Sequence, residues 1–271
     1  MLHPARQCHG GDNKALECQH VWRVRNNNVI CYNNVVYNMP NECHECGGEY
    51  QKIGSHWSQS VCEYPEFSNR QHETITGILM GDGYLATRNR FPDMRINMIA
   101  KTYLEYLSDD VFTNCSGDVG VKRTAKESAK QSRENGFHPS ADVEDYSTLY
   151  FLNLVTHPGL QKYKSWYSGG SKVFPEDIEL TPTVLRHWYC CDGSIQKNAY
   201  PRISLCNEYE NREKIEDMFQ GAGLVDFRWY GPHYGDEGRV KAGIQFREKG
   251  ARNFFRYVGE APPGFGRKWP M

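Results

Sequence analysis

The sequence predicts an α+β protein built from two similar units, each ordered helix, strand pair, helix, strand pair, helix (αββαββα). Three observations carry that reading. The stretch Ile75-Thr76-Gly77-Ile78-Leu79-Met80-Gly81-Asp82-Gly83 is an apolar run ending in one acid between two glycines. Leu185-Arg186-His187-Trp188-Tyr189-Cys190-Cys191-Asp192-Gly193 repeats the form 110 positions later. After each run the residues alternate in character with the period of two that marks half-buried strands. Each unit closes on a lysine just before a proline, Lys172 before Pro175 and Lys268 before Pro270.

The first run reads as a helix because Ile75, Ile78 and Leu79 share one helical stripe. Gly83 is its expected stop, which places Asp82 in the last turn. Gly77 and Gly81 leave a strip free of side chains where another backbone can approach. Tyr84 to Arg90 and Asp93 to Ile99 then form a strand pair around Phe91-Pro92, and residues 100 to 112 a helix. Lys122, Arg123, Lys126, Lys130 and Arg133 stand against the single acid Glu127, either as a solvated loop or as an arm that contacts phosphates. Tyr146 to Val155 is a strand, His157 to Tyr167 a helix, and Gly169-Gly170 a break.

The second unit opens at Leu180-Thr181-Pro182, where Thr181 caps and Pro182 starts the helix that carries Asp192. Ser194 to Lys197 and Arg202 to Cys206 pair as strands. Asn207 caps a helix through Ile215, Met218 and Phe219. Leu224 to Tyr230 and Val240 to Arg247 form the second strand pair, and Ala251 to Val258 the closing helix. The units span 68–176 and 177–271.

Ahead of them, residues 1–40 carry no readable periodicity beyond a short strand at Asn33 to Tyr37. Residues 41–67 are more specific. Cys43-x2-Cys46 is followed by His56 after nine residues and Cys62 after five more, the layout of a closed tetrahedral zinc site. His44 is a competing ligand, but inside the Cys-x2-Cys turn it would point outward. A module of this size has little core, so bound Zn²⁺ would supply most of its folding energy.

Composition narrows the classes. The formal net charge of −1 over 271 residues gives no global pull toward nucleic acid or membrane, so any basic surface is local. No run approaches 18 apolar residues, and Met1 to Arg6 lacks an apolar signal core. Six of the ten cysteines lie in the first 62 residues beside histidines, which favours metal ligation in a reducing compartment. An intracellular protein, cytoplasmic or nucleoid, is expected.

If the two helices pair, Asp82 and Asp192 stand side by side. Two close carboxylates raise each other's pKa unless cations hold them ionised. Mg²⁺ suits such a site, and a two-metal carboxylate centre cleaves phosphodiesters. Lys172 and Lys268, one per unit, would neutralise developing charge or place a water. Arg88, Arg90, Arg95, Asn97, Lys122, Arg123, Lys197, Arg202, Arg228, Lys241 and Arg247 are candidate contacts to DNA from the strands.

Here the sequence resembles the LAGLIDADG homing endonucleases, in their single-chain form with two motifs. The resemblance covers about residues 70 to 271. It rests on both Asp-Gly motifs, on Trp166-Tyr167-Ser168-Gly169-Gly170-Ser171-Lys172-Val173-Phe174-Pro175 as the linker, and on the terminal Lys-x-Pro. The zinc module, with Tyr50, His56-Trp57 and Tyr64-Pro65, looks like an N-terminal finger of some members. The resemblance implies a saddle of two antiparallel sheets and a monomer that cuts both strands of a duplex site of about 20 base pairs. Asp82 and Asp192 would be the catalytic metal ligands, with Mg²⁺ replaceable by Mn²⁺ or Ca²⁺. Gly81 and Cys191 would add backbone carbonyls, and Lys172 and Lys268 would assist. Met80 and Cys190 stand where the family often has an acid, and His187-Trp188 makes the second helix bulkier. A non-cleaving binder of the same fold (an RNA maturase or transcription regulator) is the other reading. An intein is disfavoured by Met1 and Pro270-Met271.

Overall fold

The computed structural model describes residues 66–270 except 89–91, 114, 137, 169–170, 197, 207 and 235–239, together with the backbone of four short strands before them. Those strands form two antiparallel pairs, β1 (Trp22–Arg25) with β2 (Asn28–Cys31) and β3 (Tyr50–Ile53) with β4 (His56–Gln59). The strand expected at Asn33 to Tyr37 lies outside the described residues, as do Cys43, Cys46 and Cys62. His56 is placed only as the first residue of β4.

Helix α1 (Asn69–Met80) starts where Ser68 and Gln71 exchange side-chain and backbone hydrogen bonds, satisfying two otherwise orphan N–H groups. It ends sooner than the sequence suggests. Gly81, not Gly83, is the cap, and the N–H groups of both glycines donate to the Ile78 carbonyl, at 3.1 and 2.8 Å. Asp82 therefore sits in a turn beyond the helix. Its counterpart α4 (Pro182–Asp192) opens as expected on Thr181 and Pro182 and keeps Asp192 as its last helical residue.

The two helices pack directly on each other, and Gly77 and Gly81 are the reason they can. A methyl at Gly77 would lie 2.3 Å from the Val184 carbonyl oxygen and 2.8 Å from His187 Cβ, and one at Gly81 2.3 Å from Cys191 Cβ. The bulk of His187 is thus matched by a hole opposite it. Each helix also carries the inner face of a four-stranded antiparallel sheet. In the first, β5 (Tyr84–Ala86), β6 (Asp93–Met98), β8 (Leu149–Asn153) and β7 (Gly120–Arg123) lie in that order. In the second the order is β11 (Gly193–Ile195), β12 (Pro201–Ser204), β14 (Val240–Phe246) and β13 (Phe227–Tyr234). Leu85, Met94, Ile96 and Leu152 are buried under the first sheet, Ile203, Ile244 and Phe246 under the second. The cores interpenetrate: Cys190 of α4 packs into the first and Met80 of α1 into the second.

Several elements differ from the sequence reading. Lys122 to Arg133 is no loop. It is the end of β7 and then α3 (Ala125–Glu134), nucleated by a Thr124–Glu127 capping box that charge counting passes over. This insertion means that β7 and β8 are not a hairpin. The helix at 100–112 is α2 (Lys101–Tyr106), continued by a wider π turn over Leu107–Val111, and Pro158–Trp166 winds as a 3-10 helix. Two-residue strands β9 (Tyr167–Ser168) and β10 (Ser171–Lys172) pair in the linker. In the second unit α5 (Arg212–Gly221) begins after a 3-10 turn at Tyr209–Asn211, and α6 (Lys249–Val258) closes the fold. The expected cap, Asn207, is not among the described residues.

Between the units, buried Tyr103 meets buried His187 with 2.5 Å from hydroxyl to Nδ1. Burial pushes His187 down to about 3 and Tyr103 well above its ordinary value, so a hydroxyl donates to a neutral imidazole. A histidine lowered on folding binds its proton in the unfolded chain first. Stability from this group is therefore full above about pH 6.5 and falls as the pH drops toward 3. The expected loss by pH 4 is on the order of 3 kcal/mol, and His187→Gln should flatten this part of a denaturation profile taken from pH 7 to 4. Gly77→Ala should cost roughly 1–3 kcal/mol, read as a lower urea midpoint at unchanged slope, because helix backbone rather than a flexible side chain must move.

Candidate active site

The helix pair ends in a composite site. A methyl on Gly81 would stand 3.1 Å from Asp192 Oδ2, so the residue before one acid touches the carboxylate of the other helix. The Cys191 thiol lies against Gly81 and accepts from the Asp82 backbone N–H; burial, then the two carboxylates, push its pKa well up and keep it a thiol. Trp188, one helical turn before Asp192, donates its indole N–H to Asp192 Oδ2 at 3.1 Å. Asp192 is the more enclosed acid. Burial, then the charge of Asp82, push its carboxyl up to about 7. Asp82, outside the helix and more open, is raised mainly by burial.

Both lysines reach this site. Lys172 Nζ donates to the carbonyls of Gly81 (3.0 Å) and Met80 (3.2 Å). Lys268 Nζ donates to those of Cys190 (2.7 Å) and Tyr189 (3.5 Å), one residue further from its acid than Lys172 is from Asp82. Their action crosses the pair: Lys268 offsets the rise at Asp82 more than Lys172 does, and at Asp192 the order reverses. Each ammonium is tied to its own helix end and also offsets the rise at the other unit's acid. The Tyr189 hydroxyl braces the second lysine by donating to the Lys268 carbonyl at 3.1 Å.

An all-oxygen donor set of two carboxylates and nearby carbonyls fits a hard divalent cation, which would hold both acids ionised. Among the described residues no group of three His, Cys, Asp or Glu side chains meets, so such an ion would take its other ligands from backbone, water or substrate.

The outer faces of the sheets present polar residues in register. Tyr84, Arg95 and Asn153 form one row of the first sheet, and Asn97, Phe151 and Gly120 the next. In the second sheet Ser194, Arg202, Gln245 and Arg228 share a row, beside Ser204, Gly243 and Tyr230. Of the other candidate contacts, Lys122 is exposed on β7, Arg123 pairs with Leu149, and Lys241 is exposed on β14. Arg88 lies in the loop after β5 and Arg247 in the turn into α6. Arg90 and Lys197 are outside the described residues. Sequence reasoning passed over Trp188's bond, Tyr189, Tyr230 and Gln245. The period of two on β14, with Ala242, Ile244 and Phe246 buried inward, would have put Gln245 on the outer face.

Two four-stranded antiparallel sheets hung on a helix pair that ends in adjacent carboxylates define a duplicated α+β protein with a single composite acidic site. The chain belongs to the LAGLIDADG DNA endonuclease family, whose profile matches residues 72–222, more than half its length. In fold it is similar to the solved structure of the homing endonuclease I-WcaI bound to its DNA recognition sequence. That similarity has a TM-score of 0.59 at 15% identity over 77% of this chain and 90% of that one. A comparison with curated proteins gave no significant match. No helix among the described residues is long and apolar enough to cross a membrane.

A carboxyl raised on folding binds its proton in the folded state first, so Asp192 leaves stability intact below about pH 4 and costs it progressively as the pH rises to about 7. In metal-free buffer Asp192→Asn, which keeps an acceptor for Trp188, should melt above the parent at pH 8. The two should converge near pH 4. Equal melting temperatures at both pH values would mean the acid is not strained.

Proposed function

We propose that the protein is a site-specific, double-strand DNA endonuclease that cleaves one long duplex target by Mg²⁺-dependent phosphodiester hydrolysis. The observation that carries this is the intact composite site: two acids at paired helix ends, with a lysine from each unit anchored beside them. Membership of an endonuclease family and the DNA-bound neighbour support it.

Asp82 and Asp192 would hold the divalent ions, helped by the carbonyls of Gly81 and Cys191. When bound, such ions polarise the scissile phosphate and acidify the attacking water. The chain's own residues do the rest. Asp192 gives up its proton on loading, Lys172 and Lys268 hold the helix-end carbonyls in place and stabilise charge at the phosphate, and Cys191 keeps solvent from between the acids. The outer faces, through Arg88, Arg90, Arg95, Asn97, Lys122, Arg123, Lys197, Arg202, Arg228, Lys241 and Arg247, would grip the duplex, one half-site per sheet. The protein would act as a monomer inside the cell, with 41–67 as a zinc finger on Cys43, Cys46, His56 and Cys62.

Cleavage of a randomised duplex library with Mg²⁺ tests the activity and reports the target. Asp82→Asn and Asp192→Asn should each abolish double-strand cleavage, by a hundredfold or more, with duplex affinity in Ca²⁺ within a few-fold of the parent. Full cleavage by either variant would refute the mechanism. Duplex binding by the parent without cutting would instead mark a non-cleaving binder. At limiting Mg²⁺ the cleavage rate should climb as the pH rises through about 7, where Asp192 loses its proton in the metal-free site. Elemental analysis should find one zinc per chain, lost in Cys43→Ser.

A further inference from the structure

Arg95 and Arg202 occupy equivalent places in the two sheets. Arg95 on β6 is in register with Tyr84, and Arg202 on β12 with Ser194; Tyr84 and Ser194 each stand two residues after an acid of the site. Both arginines lie on inner strands, away from the sheet edges. Each is restrained, by a different device. Arg95 Nε donates to Asp93 Oδ2 at 2.9 Å. Arg202 sits over the Tyr230 ring, with its guanidinium carbon 3.7 Å from the ring centre, and its buried Nε has no partner among the described residues.

Tyr230 is itself fixed. It lies over Gly243 on the neighbouring strand, where a methyl would come within 2.4 Å of its hydroxyl, and it bonds to the Ser204 side chain. A stacked guanidinium loses less freedom on binding, and its plane is set before the ligand arrives. The Asp93 bond uses Arg95 Nε and the Tyr230 contact uses the guanidinium face of Arg202, so in both the terminal nitrogens can serve as the planar two-pronged donor that fits the O6 and N7 acceptors of guanine. An inner strand laid in a major groove sits over base edges, while phosphates lie toward the sheet's rims.

We infer that Arg95 and Arg202 each read one guanine, placed at matching distances on either side of the cut and close to it, and that Tyr230 positions Arg202 for this contact. The inference rests on the duplex-cleaving reading above and specifies what that site selects. It also explains why an arginine is tolerated with a buried, unpaired Nε. The stack offsets that loss, and bound DNA would reward the geometry.

The test is library cleavage and Ca²⁺ binding by the full chain and by Arg95→Ala, Arg202→Ala, Tyr230→Leu and Tyr230→Phe, with folding checked by melting. The parent should prefer guanine at one position in each half-site, by on the order of ten- to a hundredfold. Arg202→Ala should erase that preference in one half only, and Arg95→Ala in the other. Tyr230→Leu should weaken it at the Arg202 position alone, and Tyr230→Phe, which keeps the ring, should restore most of it. A merely structural tyrosine would not move discrimination at a single base pair. If Arg202→Ala weakens binding evenly across all sequences and lowers the salt slope by about one, the residue contacts phosphate and the inference is wrong. If base preferences match the parent's in every variant, it is also wrong. A parent that neither binds nor cuts any duplex would overturn the proposed function, and this inference with it.

Discussion

The contact on which this fold depends is the close approach of α1 to α4, set by Gly77 and Gly81. With the Val184 carbonyl 2.3 Å from where a Gly77 methyl would be, no other residue fits without moving backbone. The interface is unequal by necessity. Facing positions on duplicated helices cannot both be bulky at this separation, so α1 supplies the holes and α4 the knobs, His187 against Gly77 and Cys191 against Gly81. Because the helices meet so closely, their ends bring two carboxylates into one site. The site is therefore a by-product of packing, and its geometry is as stiff as the helix pair.

The same closeness ties the units together in three further ways. Met80 and Cys190, at equivalent motif positions, each leave their own unit and fill the other's core. An acid there would be buried in apolar surroundings, which accounts for the apolar side chains at both positions. Phe265, just before the second lysine, packs edge-on against Tyr103 of the first unit at 4.9 Å. Each lysine also offsets the rise at the other unit's acid. Neither unit closes its core alone, so the internal duplication has not left two separable modules.

Much of this was legible in the sequence because it is periodic or punctuated. The apolar stripe of α1, the Thr181-Pro182 opening of α4 and the alternation along β6 and β14 follow from local rules. They are found where those rules place them. The misses have definite causes. The stop of α1 went to the wrong glycine because either can cap a helix, and only the two bonds to the Ile78 carbonyl decide between them. Helix α3 was hidden because its charges were counted while its Thr124–Glu127 cap was not. The cross-acting lysines and the Arg202–Tyr230 stack join residues 28 or more positions apart, and no local pattern encodes where such side chains meet.

The inequality of the two acids follows from the two helix ends. Asp82 lies beyond a glycine cap, in a more open turn, where burial raises its carboxyl and Lys268 and Lys172 offset part of the rise. Asp192 stays in the helix, against Trp188 and beside a thiol, and its proton persists up to about pH 7. Cys191 beside the two acids, and Tyr103 and His187 further along the helix pair, are kept uncharged by burial. In such surroundings a charge is screened weakly, so a divalent ion between the acids would interact with both more strongly than at an exposed pair. The same weak screening is what sets the two acids against each other when no cation is bound. Strain in the free protein and affinity for a cation thus have one origin, the low-dielectric seam that Gly77 and Gly81 permit.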